Sequence, residues 1–264
     1  MNQPEHYPTY RPPANVDGPS FADSAHRARS AGAFATGASA AAEYDAARPA
    51  YPAEVAALVD GCARVLDVGA GTGKLTALLR APQVWALDPA ADMCRTLRDK
   101  VGVPVWQATA EATALGDAAV DAVTCAQAWH WLDVPAACAE FDRIIAPGGK
   151  VVLVWNTIDV HADPWVLRLA RIMHSGDVMR EGFLPEVAPP WRITHELRLR
   201  WDDETTPEGL HQLMRTRAYW LRNGDKVHAR MRANLDWYLF EHLGYSPGQR
   251  VGLPYRTDAF VLER

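Results

Sequence analysis

The sequence predicts an α/β fold: a seven-stranded, mostly parallel sheet flanked by helices, with a helical insertion toward the C-terminus. Three observations predict it. Between Arg64 and Trp155, short apolar runs of strand length alternate with runs at helical spacing. The first of these, Val65-Leu66-Asp67-Val68, leads directly into a turn with glycine at 69, 71 and 73. Beyond Asn156, two more strand-like stretches, about 193–201 and 257–262, bring the count to seven. The chain has 264 residues, 48% of them apolar, enough for a sizeable core.

Each element has its own local reason. Residues 1–30 are rich in Pro, Ala, Ser and Asp without periodicity and read as a mobile tail, leaving 31–264 as the folded domain. Alanine favours a short helix at about 40–46, and a second is expected over 53–59 after Tyr51-Pro52. After the first strand and its glycines, Lys74 to Leu79 has helical spacing. Strands are expected over 84–87, 103–108, 120–126 and 150–155. A helix over 135–145 is stopped by Ala146-Pro147-Gly148-Gly149. Helical patterns at about 164–173, 207–217 and 227–243 make up the insertion.

The strand–glycine turn–helix opening is that of a nucleotide-binding, Rossmann-like unit. Glycines let the backbone approach a ligand closely, and a helix N-terminus favours a negative group. A phosphate-binding P-loop needs glycine five positions before Gly73 and Ser or Thr after Lys74; Val68 and Leu75 stand there. A dinucleotide fingerprint needs glycine three positions after Gly71, where Lys74 stands. Asp88 closes the second strand nineteen residues after Gly69, where a carboxylate is placed to accept hydrogen bonds from ribose hydroxyls. That placement suits any adenosine-bearing ligand, NAD included.

Asp67-Val-Gly-Ala-Gly-Thr-Gly73 resembles motif I of the class I S-adenosylmethionine-dependent methyltransferases of small-molecule type, and the later segments follow the same order. The resemblance covers about 34–155 well. It implies a cofactor site that includes Asp67, Gly69, Gly71, Gly73 and Asp88, with Ala110 and Glu111 meeting the adenine after the third strand. Tyr44-Asp-Ala-Ala-Arg48-Pro49-Ala-Tyr51-Pro52 is similar to a segment of the subgroup that includes trans-aconitate methyltransferases. There the segment folds over the cofactor, which implies that Arg48 pairs with the methionine carboxylate and Tyr44 closes the site. Gln127-Ala-Trp129-His130-Trp131 also resembles that subgroup. It stands where nucleic-acid and protein amine methyltransferases carry an Asn/Asp-Pro-Pro-Tyr/Phe signature.

Ligands of open α/β sheets lie beyond the carboxyl ends of the strands. Gln127 is therefore expected at the cofactor, and Trp129, His130, Trp131, Trp155 and Asn156 at the acceptor. His130 is the candidate general base; a carboxylate acceptor would need none. Arg215 and Arg217 flank a helical face made by Leu213, Thr216 and Trp220. The expected reaction is methyl transfer from S-adenosylmethionine to a small organic acceptor, with O-methylation of an acid or hydroxyl favoured and S-adenosylhomocysteine as product. Residues of about 31–156 would bind the cofactor and 157–264 the acceptor. The alternatives are an NAD-type dinucleotide oxidoreductase, for which paired acid/base residues are lacking, and a non-catalytic cofactor-binding protein on the same fold.

Composition narrows the partners. A net charge of −5 argues against an extended nucleic-acid footprint. No apolar run approaches the ~20 residues of a membrane helix, and no secretory signal opens the chain. The four cysteines are widely spaced and read as reduced core thiols of a cytoplasmic protein. The nine histidines show no metal-ligand spacing, so no metal is expected. Oligomeric state is not legible.

Overall fold

A computed structural model describes residues 38–175 and 179–264. The tail assigned to 1–30 lies outside the described residues. In chain order the elements are α1 (Ala38–Ala47), α2 (Ala53–Ala57), β1 (Arg64–Val68), β2 (Gln83–Asp88), α3 (Ala91–Val101), β3 (Val105–Gln107) and β4 (Val120–Ala126). These are followed by α4 (Val134–Ile144), β5 (Ile145–Ile158), α5 (Pro164–Ile172), β6 (Arg192–Thr205), α6 (Pro207–Arg215), α7 (Ala218–Leu221), α8 (Asp225–Asp236) and β7 (Val251–Glu263). The seven strands form one sheet in the order β3-β2-β1-β4-β5-β7-β6. Pairings β1–β2, β1–β4, β2–β3 and β4–β5 are parallel. The strand order reverses between β1 and β4, so the loops leaving these two strands flank the switch point where such sheets bind ligands.

Central strands buried on both faces are apolar throughout. Val65, Leu66 and Val68 of β1 are inaccessible, as are Val123 of β4 and Val152, Leu153 and Val154 of β5. Polar side chains interrupt this core, Asp67 and Thr124 among them. Asp67 and Thr124 are register partners on β1 and β4, and each satisfies the other. Helix starts follow ordinary capping. Asp133 accepts from Ala136 N–H at the head of α4 (3.1 Å), and Asp163 accepts from Trp165 N–H at the head of α5 (3.1 Å).

The chain divides into two compact units. One comprises Thr157–Pro185 and Arg200–Arg256. Its core gathers Ile158, Val166, Leu169, Met214, Leu235 and Leu253. The other ends its first segment at Asn156 and takes in Glu186–Leu199 and Thr257–Arg264. It carries β1 to β4 and most of β5.

Two local expectations change. The helix expected over Lys74–Leu79 is only a 3₁₀ turn, Thr76–Leu78. The helical face expected of Leu213, Thr216 and Trp220 is divided, because α6 ends at Arg215 and α7 begins at Ala218. Thr216 turns its hydroxyl back to Leu213 C=O (2.7 Å), and Arg217, expected to flank that face, is buried.

Candidate active site

The glycine loop is shaped by backbone conformation and by two buried carboxylates. Gly69 has φ +61°, and a Cβ there would lie 2.5 Å from that of Ala128, so the loop after β1 sits against the loop after β4. Gly71 has φ +56°, but among the described residues nothing lies within 4 Å of the position its Cβ would take. Both angles lie in the region that disfavours side chains, yet only Gly71 faces open space.

Asp88, at the end of β2, accepts from Gly71 N–H through Oδ2 (2.9 Å) and from Ala90 N–H through Oδ1 (2.8 Å). It therefore fixes the loop and keeps a lone pair on each oxygen for a further donor. Burial pushes its pKa above the usual carboxylate value, against the pull of the two N–H bonds. Asp67 lies beneath the loop and is 1% exposed. Its Oδ2 accepts from Thr76 Oγ1 (2.6 Å) and its Oδ1 from Thr124 Oγ1 (2.8 Å). Burial pushes its pKa up to about 6, with the Asp88 charge adding and the two hydroxyls opposing. Both Asp67 oxygens thus serve the fold.

The N-terminal segment reaches the same place. In α1, Asp45 accepts from Thr72 Oγ1 (2.6 Å) in the glycine loop and from Lys100 Nζ in α3 (2.8 Å), with Lys74 Nζ at 3.7 Å. Burial raises its pKa, but the Lys100 and Thr72 bonds and the Lys74 charge outweigh that and hold it below the ordinary value. The Arg48 guanidinium lies over the Tyr44 ring, 5.2 Å from its centroid. Downstream, Ala50 C=O accepts from Asn156 Nδ2 (2.9 Å) at the end of β5. Asp45 and Thr72 were not among the site residues expected from sequence; their contact spans 27 positions, and no local pattern marks it.

The remaining expected residues divide between the site and its support. Ala110 is buried, and Glu111 accepts from Asp133 N–H (2.9 Å). Gln127 holds φ +56° at the end of β4, with its N–H bonded to Val154 C=O (2.8 Å) and its amide donating to Asn156 C=O. Asn156 is itself committed: besides Ala50, it accepts from Thr257 Oγ1 (2.7 Å). Trp129 is 3% exposed, lies tilted against Phe141, and donates to Glu186 C=O (2.9 Å). These contacts place the Trp129 indole in the core. His130 and Trp131 are half-buried neighbours, their ring centroids 4.8 Å apart. Trp155 is buried edge-on to Phe260 and donates its indole N–H to His130 Nδ1 (3.3 Å). Among the described residues no cluster of three His, Cys, Asp or Glu could hold a metal, and no helix is long and apolar enough to cross a membrane.

A methyltransferase-domain family model, Methyltransf_11, matches residues 66–153, which take in most of β1, all of β2 to β4 and most of β5. An uncharacterized methyltransferase of Mycobacterium bovis is 37% identical over 226 residues, covering 83% of this chain and 91% of the relative. The chain belongs to the class I S-adenosylmethionine-dependent methyltransferases. A malonyl-[acyl-carrier protein] O-methyltransferase of Methylococcus capsulatus is 38% identical over 100 residues, covering 34% of this chain and 36% of that one. Among solved structures, a putative type II methyltransferase from Anaeromyxobacter dehalogenans superposes with a TM-score of 0.60 at 22% identity. That match covers 81% of this methyltransferase and 97% of the other chain, and it carries the likeness of fold. Family membership sets aside the dinucleotide oxidoreductase alternative.

Proposed function

We propose that this methyltransferase moves a methyl group from S-adenosylmethionine to an oxygen of a small organic acid or alcohol and releases S-adenosylhomocysteine. The observation that carries the cofactor half is the pairing of Gly71 with Asp88: open space ahead of a glycine, beside a buried carboxylate bonded to that glycine's N–H. This arrangement fits the cofactor. Asp88 would hold the ribose hydroxyls, Ala110 and Glu111 would border the adenine, and Gly69, Gly71 and Gly73 would run along the methionine portion. Asp67 supports the loop from below. Tyr44, Arg48 and Gln127 would complete the enclosure, with Arg48 matched to the methionine carboxylate. The similarity of Tyr44–Pro52 to the trans-aconitate methyltransferase subgroup supports that assignment.

When bound, the cofactor supplies a methyl already activated by its sulfonium. The protein's own share is to align the acceptor and exclude water, and alignment alone contributes up to about 7–11 kcal/mol in favourable cases. His130 and Trp131 are assigned to the acceptor side, with 157–264 assigned to acceptor choice. Trp129, Trp155 and Asn156, buried and already bonded, support that wall from behind. Oxygen is preferred as the acceptor atom partly because the Methylococcus relative is an O-methyltransferase. We assign the enzyme to the cytoplasm and to free small molecules rather than nucleic acid or membrane.

Two measurements test this reading. Calorimetry should show S-adenosylmethionine and S-adenosylhomocysteine binding and NAD failing to bind. A labelled-methyl screen over matched acids, alcohols and amines should mark an oxygen; label found only on nitrogen or carbon would refute the acceptor assignment.

A further inference from the structure

Tyr51 packs its ring against a core cluster that includes Val65, Leu75, Ala122, Val152 and Val154, with Ala126 beside it. Strand register puts that cluster on one face of the sheet. Val65 and Asp67 pair with Ala122 and Thr124, and Thr124 and Ala126 pair with Val152 and Val154. Residues two apart on a strand share a face, so Tyr51 lies on the face that carries Asp67 and Asn156. Asn156 Nδ2 donates to Ala50 C=O (2.9 Å), which holds the residue before Tyr51 at the carboxyl end of β5. Ligands of such sheets bind at that end.

The ring has a structural task, but the hydroxyl has none. Among the described residues it makes no hydrogen bond, although a tyrosine O–H taken out of water ordinarily finds a partner. Burial pushes its pKa well above the usual phenol value, with Tyr44 and Asp67 adding to the rise and Arg48 opposing it. The phenol is therefore neutral and has a proton to donate. It lies within reach of the Arg48 and Asp67 charges, and both Asp67 oxygens already accept from Thr76 and Thr124.

We propose that Tyr51 is a cofactor-binding residue whose hydroxyl donates to the α-carboxylate of the cofactor's methionine portion. This inference rests on the methyl-transfer reading above and adds a residue that selects for an intact cofactor. In that reading Asp88 takes the ribose hydroxyls and Ala110 and Glu111 border the adenine. The carboxylate is the acceptor left beside Arg48. An O–H donated to a carboxylate is a charge-assisted bond, stronger than one between neutral groups. An adenosyl thioether that lacks the carboxylate leaves the hydroxyl unmet, so Tyr51 disfavours decarboxylated and cleaved forms of the cofactor.

Three ligands read this contact without turnover: S-adenosylhomocysteine, its decarboxylated analogue, and 5′-methylthioadenosine, which lacks the whole amino-acid end. Tyr51→Phe keeps the ring and its packing. Titration calorimetry should show its Kd for S-adenosylhomocysteine raised by roughly 10- to 150-fold, the scale of a hydrogen bond to a charged group. Its Kd for the other two should stay within about two-fold of wild type. A folded Tyr51→Phe that binds S-adenosylhomocysteine like wild type overturns the proposal, and so does equal weakening of all three ligands. Should Tyr51→Phe not fold, 3-fluorotyrosine installed at position 51 keeps the hydroxyl and supplies a ¹⁹F signal. That signal should shift with S-adenosylhomocysteine more than with either truncated ligand; no shift, or the same shift with all three, overturns the proposal. If wild-type protein binds none of the three, the methyl-transfer reading itself fails and this contact falls with it, whereas wild-type binding with an indifferent Tyr51→Phe sinks this contact alone.

Discussion

Replacing Asp88 by Asn tests the cofactor site with little change of shape. The Asp88 carboxylate accepts from two backbone N–H groups, Gly71 at 2.9 Å and Ala90 at 2.8 Å. An amide has one oxygen, so in the variant an NH₂ must face one of these donors. One loop contact is lost, and so is the charge that would strengthen bonds from ribose hydroxyls. A hydrogen bond to a charged group is worth about 1.5–3 kcal/mol, which corresponds to roughly 10- to 150-fold in Kd. The ribose is common to S-adenosylmethionine and S-adenosylhomocysteine, so both should weaken by the same factor. Titration calorimetry of wild type and Asp88→Asn with each ligand measures it. Unchanged affinity for both would remove Asp88 from the site. Loss for one ligand alone would place it at the sulfur, the only place where the two ligands differ.

Three further outcomes are expected. Gly71→Val should abolish cofactor binding while the fold survives, because a side chain meets nothing within 4 Å among the described residues but strains φ +56° by about 1–2 kcal/mol; a folded variant that binds normally would sink the loop assignment. Asp67 is raised to about 6 from 3.8. Its folded-state pKa lies above the unfolded one, so the folded protein binds more protons and stability falls as pH rises from about 4 to about 6, by on the order of 3 kcal/mol. Asp67→Asn can still satisfy Thr76 and Thr124, so denaturant melts should show the variant gaining on wild type through that window and holding its gain above it; a pH-independent difference would contradict the buried charge. Asp45→Ala removes the bonds to Thr72 and Lys100. Hydrogen exchange across 41–51 should accelerate and cofactor Kd should rise several-fold, and unaltered exchange would show that Asp45 does not fasten this segment.

The strands and most helices were legible because each carries its own pattern. β4 occupies the expected 120–126, and α4 lies within a residue of its expected start and end. The helix after the glycine loop was not legible, although Leu75, Leu78 and Leu79 have helical spacing. Thr76 spends its hydroxyl on Asp67, and Pro82 comes soon after, so the chain turns into β2 at Gln83. Local spacing carries no record of a partner on the preceding strand. The same limit explains Trp129 and Asn156. Both stand at strand ends where a side chain can face ligand or core, and the deciding contacts, Glu186 and Thr257, are 57 and 101 positions away. Arg217, expected to flank a helical face, is buried in the break between α6 and α7.

The shortened helix also bears on which ligand suits the loop. A pyrophosphate is held by the N–H groups and positive end of a full helix. Here a three-residue 3₁₀ turn follows the glycines, too short to sum peptide dipoles. Two buried carboxylates border the loop instead, Asp67 beneath it and Asp88 beside it, and the Gly71 N–H that a phosphate would need is already given to Asp88. Burial lets both charges act through a low dielectric. Such a loop disfavours a phosphate at Gly71 and, in the reading proposed above, suits a ligand that brings hydroxyl donors and a positive centre. A nucleoside joined to a sulfonium amino acid has both, and a dinucleotide brings two negative phosphates to the same spot. The electrostatics of Asp67, Asp88 and the 3₁₀ turn thus support the first of two cofactors that glycine content and an acidic residue at the end of β2 leave together.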